Sequence, residues 1–265
     1  MDLQLLQKHI KNFLNYLNNE PGKLNTDQED RNQRIAYYQS WTKDKILKMS
    51  QDDLLEYMSK LYAMLIWGNK QYFVDKLIDD NGFEELKKKL ADLIWGKDPI
   101  EKRWDRAMKG IKGFGPAMQS ELLCYVHPYK HMLWNRRAYV GFSYLGVSGL
   151  PKYNYQITGK KYKELSDIAR TIADEMGKLG ARDTSLLSVD FFIWEELQVE
   201  ENLSQIFKKA NEVKPVEKLS KEESGFVHNE IRDYLRDIGQ WLGFNASIEK
   251  KVADGSKVDT VWEST

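Results

Sequence analysis

The stretch Gly110-Ile111-Lys112-Gly113-Phe114-Gly115-Pro116-Ala117 constrains this chain more than any other. Glycines at 110, 113 and 115 open backbone conformations that other residues avoid, and a helix cannot run through them cheaply. Pro116 has a fixed φ and no N–H, which suits the first position of a helix. The segments on either side have helical character, one ending near Lys109 and one running to about Val126. The chain is therefore expected to turn sharply here between two helices. A Gly-x-Gly turn that enters a helix N-terminus exposes backbone amides to an anion, so the segment reads as a phosphate-binding nest. A plain tight turn between two core helices is the alternative.

Helical periodicity dominates the first 200 residues. Leu3, Leu6, Ile10, Phe13, Leu14 and Leu17 share one face, and Glu20-Pro21-Gly22 is expected to end that helix before a polar stretch to about Arg31. Residues 31–49 form a weaker helical stretch. Ser50 with Asp53 reads as a capping pair that opens a helix through Trp67, stopped by Gly68. Residues 70–79 and 83–95 are two further short helices separated by Asp80-Asn81-Gly82. Ala-x-Leu-Ile-Trp-Gly occurs at 63–68 and again at 91–96, as the ends of two helices with glycine caps. Pro99 is placed at the first position of the next helix. Residues 160–179 put Tyr162, Leu165, Ile168, Ile172, Met176 and Leu179 inward, and the aromatic run 184–199 belongs to the core.

The chain carries 42% hydrophobic residues, enough for a packed core and too many for general disorder. A single cysteine, Cys124, excludes an internal disulfide and a multi-cysteine metal site, and fits a buried position in a reducing, cytoplasmic setting. No apolar run approaches the length of a membrane helix, and no signal-peptide pattern opens the chain. Forty basic residues balance forty acidic ones, so only local charge can point to a polyanion. Residues 98–137 hold Lys102, Arg103, Arg106, Lys109, Lys112, Lys130, Arg136 and Arg137 against Asp98, Glu101, Asp105 and Glu121. Trp104, Tyr129, Trp134 and Tyr139 are interleaved. A basic, aromatic surface suits a nucleic-acid backbone; a solvated helix face over core aromatics is the alternative.

Ile111 to Leu123 resembles the helix-hairpin-helix motif of DNA glycosylases and repair nucleases, with Gln119 where that motif usually has alanine. The resemblance implies DNA backbone contacts at Lys112, Gly113, Phe114, Gly115 and Pro116, with Arg136 and Arg137 alongside. It does not imply glycosylase chemistry. The position of the catalytic aspartate falls on Asn135, which has no carboxylate, and the lysine nucleophile falls near Ala117. Asn135 is instead expected to hold its loop through the side-chain amide. The longer run through His127-Pro128, Leu133-Trp134-Asn135 and Leu145-Gly146 to Val189-Asp190-Phe191-Phe192-Ile193-Trp194-Glu195 resembles a domain of prokaryotic restriction and defence proteins of the McrB-like type.

Residues 211–224 are charged, contain a proline and read as a linker. Beyond them an amphipathic helix over 226–242 carries Phe226, Ile231, Leu235, Ile238 and Leu242, and two short strands, Phe244 to Glu249 and Lys257 to Trp262, flank the turn Asp254-Gly255-Ser256. This segment resembles the opening of the PD-(D/E)XK nuclease fold. The resemblance implies Asp259 as a Mg²⁺ ligand and catalytic residue, with Glu230 as a second carboxylate. No (Asp/Glu)-x-Lys strand follows, and some 40 residues cannot bury a core alone, so the chain is expected to be part of a longer one.

The expected fold is mainly α. Residues 1–210 form a glycosylase-like helix-hairpin-helix domain, 211–224 a linker, and 225–265 the beginning of an α/β restriction-endonuclease-like domain with one helix and two strands. Two functional expectations stand together: the anchoring part of a Mg²⁺-dependent DNA endonuclease, or a non-catalytic DNA-binding or scaffolding module. The expected partner is DNA, in duplex form, with no membrane and with a homodimer or a defence-system partner as further options. A third reading is a helical domain that binds protein, for which residues 190–237 supply an acidic excess of twelve to seven.

Overall fold

The structure, a computed structural model, describes residues 1–19, 21–65, 68–197, 231–236, 238, 245–251 and 257–263. At residues 21–27, 245, 249–251, 257–259 and 263 only the backbone is described. The linker 211–224, Glu230 and the turn Asp254-Gly255-Ser256 lie outside the described residues. What is described is mainly helical, with one antiparallel pair of strands.

Helix α1 (Leu3–Asn19) buries Leu6, His9, Ile10 and Phe13 along one face. The next helix begins sooner than the sequence suggests, because Pro21 opens α2 (Pro21–Ser40) rather than a polar connection. Proline lacks only an N–H that the first turn of a helix leaves unbonded in any case. Thr42 caps the short α3 (Lys43–Lys48). Ser50 and Asp53 form the expected capping box on α4 (Gln51–Ser59): Ser50 Oγ accepts the Asp53 N–H at 3.1 Å, and Asp53 Oδ2 accepts the Ser50 N–H at 2.8 Å. That helix ends at Ser59, not Trp67. A 3₁₀ turn over Tyr62–Met64 follows, and Ile66 and Trp67 lie outside the described residues. The second copy of the Ala-x-Leu-Ile-Trp-Gly pattern ends a helix as expected, α6 (Phe83–Trp95), with Gly96 as its cap. Before it runs α5 (Lys70–Asn81), which Gly82 closes with φ +73°.

Helices α7 (Ile100–Gly110) and α8 (Pro116–Val126) flank the glycine turn; Pro99 caps α7 from outside. All residues of α8 except Ala117 are buried, Gln119, Ser120 and Glu121 included. A helix enclosed on every side must be surrounded, and α8 packs against α2, α6, the 3₁₀ turn at 62–64 and α11. Asn135 caps α9 (Arg136–Tyr144), its Oδ1 accepting the Ala138 N–H at 3.0 Å. Helix α10 (Gly159–Lys178) lies against α7, and α11 (Leu186–Leu197) closes the body against α1, α9 and α10. At the α7–α10 crossing Trp104 stacks on Tyr162 with ring centres 3.9 Å apart and donates its indole N–H to the Ile157 carbonyl at 2.7 Å.

In the C-terminal segment β1 (Asn245–Lys251) pairs with β2 (Lys257–Glu263), from Asn245↔Glu263 to Lys251↔Lys257. Residues 231–236 are helical and dock on β2. Thr260 Oγ1 donates to the Arg232 carbonyl at 3.2 Å and the Trp262 indole to the Leu235 carbonyl at 3.0 Å. Ile231, Leu235 and Ile238, read from sequence as an apolar face, each stay 42–54% exposed. Among the described residues no helix is long and apolar enough to cross a membrane.

Candidate nucleic-acid interface

The α7–α8 turn is built from inside and outside at once. Ile111 and Phe114 point into the core, with Phe114 only 2% exposed. Between them Gly113 takes φ +81°, a left-handed conformation that a side chain would strain. Gln119 sits beneath the turn and donates to the Phe114 carbonyl at 2.8 Å and to the Met108 sulfur at 3.1 Å. The residue that departs from the alanine of the resembled motif thus ties the turn to the helix behind it. On the outer side Asn81 grips Lys112: its Oδ1 accepts the Lys112 N–H at 2.8 Å, and its Nδ2 donates to the Lys112 carbonyl at 2.9 Å.

The Lys112 amide is therefore satisfied internally, contrary to a fully open nest. The opposite holds for Gly113, Gly115, Ala117 and Met118. Gly115 provides no side-chain cap to α8, and among the described residues no hydrogen bond engages these four N–H groups. All four residues line a cleft of about 1000 Å³. Its walls also carry Lys76, Asp80, Lys112 and Arg136, the aromatic residues Tyr72, Trp134, Tyr139 and Tyr153, and Tyr234 and Arg236 from the C-terminal segment. Helix α9 brings Arg136 to the cleft, where its guanidinium stacks over the Tyr139 ring at 5.1 Å.

The eight basic residues counted over 98–137 do not form one free surface. Arg103 is buried and donates to the carbonyls of Leu93, Ile94 and Asp98. Arg106 bridges Asp92 at 2.8 Å and Asp98 at 2.7 Å. Lys112 pairs with Asp80 at 3.0 Å, and Lys76 reaches the same carboxylate at 3.3 Å. The hydrogen bond from Lys112 holds the Asp80 carboxyl below the usual carboxylate range. Arg137, expected at the interface, lies 3.4 Å above the Trp194 ring; burial lowers its pKa, and the nearby Asp190 opposes the shift. The aromatic surface shrinks as well, because Trp104 and Trp134 are core residues, while Tyr129 is 61% exposed.

Of the residues expected to contact a backbone, Lys112, Gly113, Gly115, Pro116 and Arg136 meet in one cleft. Phe114 is buried and is not among the residues that line it, and Arg137 is turned to Trp194. Asp259 lies in β2. Glu230 lies outside the described residues. Among the described residues no group of three or more His, Cys, Asp or Glu is arranged to hold a metal.

Sequence reasoning missed three groups near the turn. Asp80 and Asn81 were read as a connection, yet they end α5 and hold Lys112. Glu121 was counted as a surface acid, yet it is 2% exposed. Its oxygens accept the N–H groups of Tyr62 at 2.5 Å and Ala63 at 3.0 Å. Burial raises its pKa to about 7, against those two bonds. Searched against protein-family models, curated proteins and solved structures, the chain matches none.

Proposed function

We propose that the helical body binds DNA through its sugar-phosphate backbone at the α7–α8 turn, as the anchoring part of a Mg²⁺-dependent endonuclease of restriction or defence type. One observation carries this reading: four unbonded amides, of Gly113, Gly115, Ala117 and Met118, open into a cleft flanked by Lys112 and Arg136. Converging N–H groups at a helix N-terminus favour an anion. Tyr72 and Tyr139 beside them supply flat surface for sugar or base. Contacts of this kind hold a duplex in place without reading its sequence. The side chain of Asn135 is engaged as a helix cap, which supports a body of helix-hairpin-helix type without glycosylase chemistry.

The endonuclease half of the proposal rests on the helix at 231–236 and the β1–β2 pair it docks on, an arrangement that suits the start of a PD-(D/E)XK domain. Asp259, in β2, is a carboxylate of the type Mg²⁺ takes, with Glu230 as the second one the resemblance implies, and that ion keeps several waters when few protein ligands are present. Mg²⁺ there would activate a water and offset charge on the attacked phosphate.

The test is duplex binding by fluorescence anisotropy across a salt series. Affinity should fall steeply with salt, and Lys112→Glu and Arg136→Ala should each lower the log–log slope by about one. Salt-independent binding, or binding that neither substitution changes, would refute the backbone reading. For cleavage, Asp259→Ala should abolish Mg²⁺-dependent nicking by a chain that carries the complete nuclease domain, with duplex affinity retained.

A further inference from the structure

We propose that Asp80 is a built-in competitor for the anion received at the α7–α8 turn, holding Lys112 and Lys76 in the free protein as a backbone phosphate would. The inference rests on the anion-binding reading of that turn and adds a residue that sets its affinity.

Asp80 stands in the last turn of α5, where the helix dipole favours cations and disfavours a carboxylate. An acid there needs compensation, and two lysines provide it. Lys76 comes from one turn earlier on the same helix at 3.3 Å, and Lys112 comes from the glycine turn at 3.0 Å. The Asp80 side chain is 20% exposed and that of Lys112 71%, so the carboxylate is the fixed member and the lysine the movable one. Asn81, the next residue, fixes the Lys112 peptide through its N–H and carbonyl. The ammonium therefore pivots from an anchored backbone and can exchange one anion for another. Lys76, Asp80 and Lys112 line the same cleft as the unbonded amides. A phosphate arriving at those amides meets two cations whose joint charge is halved by the one carboxylate they share, and that carboxylate repels it. Binding then releases fewer counterions than the lysines alone would give, and weakly charged anions are rejected.

The test uses Asp80→Asn, Asp80→Glu and Asp80→Ser, each measured against a labelled DNA duplex and against inorganic polyphosphate, a polyanion without bases, over a KCl series. Asp80→Asn and Asp80→Ser should tighten both polyanions by about 5- to 10-fold at low salt and steepen the salt slope by about one. Asp80→Glu keeps the charge and should behave as the parent protein does. With Lys76 and Lys112 both replaced by methionine, the gain from Asp80→Asn should shrink, leaving only the relief of direct repulsion by the carboxylate. A purely structural role would instead weaken binding in all three variants and leave the slope unchanged. Affinity for both polyanions within twofold of the parent in Asp80→Asn and Asp80→Ser would overturn the proposal. Tighter polyphosphate binding without DNA binding in any variant would uphold it and refute the nucleic-acid reading.

Discussion

The side chain of Asn81 pairs with the peptide of Lys112 as one strand pairs with another, accepting its N–H at 2.8 Å and donating to its carbonyl at 2.9 Å. The second Nδ2 proton goes to the Leu77 carbonyl at 2.8 Å, so the amide joins the end of α5 to the glycine turn. Asn81→Ala removes all three bonds at a partly exposed site, and should cost about 1–2 kcal/mol in urea denaturation. Hydrogen exchange is the sharper measurement. The Lys112 amide should lose protection well beyond the global change, while amides in α8 follow the global change. Equal acceleration everywhere would mean that Asn81 does not hold the turn.

Gly159 supplies a different kind of contact. It opens α10 against α7, and its N–H donates to Asp105 Oδ1 at 2.7 Å. A Cβ at this position would lie 1.9 Å from the Glu101 carbonyl oxygen. The obstructing atom is backbone, so no side-chain rotation can relieve the clash; the helices must separate. That separation would open the Trp104–Tyr162 stack beside it. Gly159→Ala should therefore cost about 3 kcal/mol or more, in the range of severe overpacking. A melting temperature within 2–3 °C of the parent, roughly what a change below 1 kcal/mol produces in a chain of this size, would contradict the geometry.

These two contacts mark the limit of what the sequence discloses. Ser50 with Asp53 announces a helix start because its partners are three residues apart, and the structure closes the box where the pattern places it. Asn135 caps its helix by the same local logic. The apolar run from Leu122 to Val126 identifies a buried segment, and Cys124 is buried there. Pairing between distant segments leaves no such trace. Asn81 and Lys112 are 31 residues apart, and nothing local tells a helix-ending asparagine from a loop asparagine. The basic excess over 98–137 misleads for the same reason: Asp80 and Asp92, which neutralise Lys112 and Arg106, lie outside that window. An arginine that donates to buried carbonyls, as Arg103 does, counts as charge in the sequence and as a structural bolt in the fold. Arg136 and Arg137 are neighbours, yet the turn of α9 sends one to the cleft and the other to Trp194.

Two buried groups of the helical body should shape stability against pH in opposite senses. Glu121 has its pKa raised by burial from 4.5 to about 7. Between those values the folded state keeps a proton that the unfolded chain has lost, so stability falls as pH rises through the window. His131 is lowered from 6.5 to about 3, chiefly by burial and then by His127 nearby. Its contribution is complete above pH 6.5 and is lost as pH falls toward 3. From pH 4.5 to 6.5 the two slopes cancel, leaving a plateau with an acid decline below and a smaller decline above. Asp190, also raised by burial, adds to the loss with rising pH. Glu121→Gln should remove the upper decline and gain about 1–3 kcal/mol at pH 8, since a shift of this size corresponds to about 3 kcal/mol before relaxation. His131→Phe should remove most of the acid decline. Denaturant titrations from pH 4 to 8 on both variants decide the matter. A parent curve that Glu121→Gln leaves unchanged would show that the carboxyl is ionised throughout.

Gln119 brings the interior and the turn together. Its Nε2 satisfies the Phe114 carbonyl, while its Oε1 is buried with no hydrogen-bond partner among the described residues. Two substitutions separate what the side chain does. Gln119→Met preserves volume and removes the orphaned acceptor along with the donor, so the lost bond and the relieved oxygen oppose each other; the net cost should be about 1 kcal/mol or less. Gln119→Ala leaves the same carbonyl without a donor and opens space between α7 and α8, and should cost about 2–3 kcal/mol. The two also differ in binding. With Phe114 still anchored in Gln119→Met, the amides of Gly113 and Gly115 keep their places and polyanion affinity should stay within about threefold of the parent, a change of well under 1 kcal/mol. In Gln119→Ala the turn can sink toward the space beneath it, and affinity should fall with stability. Unequal stability with equal affinity would show that the filled space beneath Phe114 is not what holds the outward amides in place.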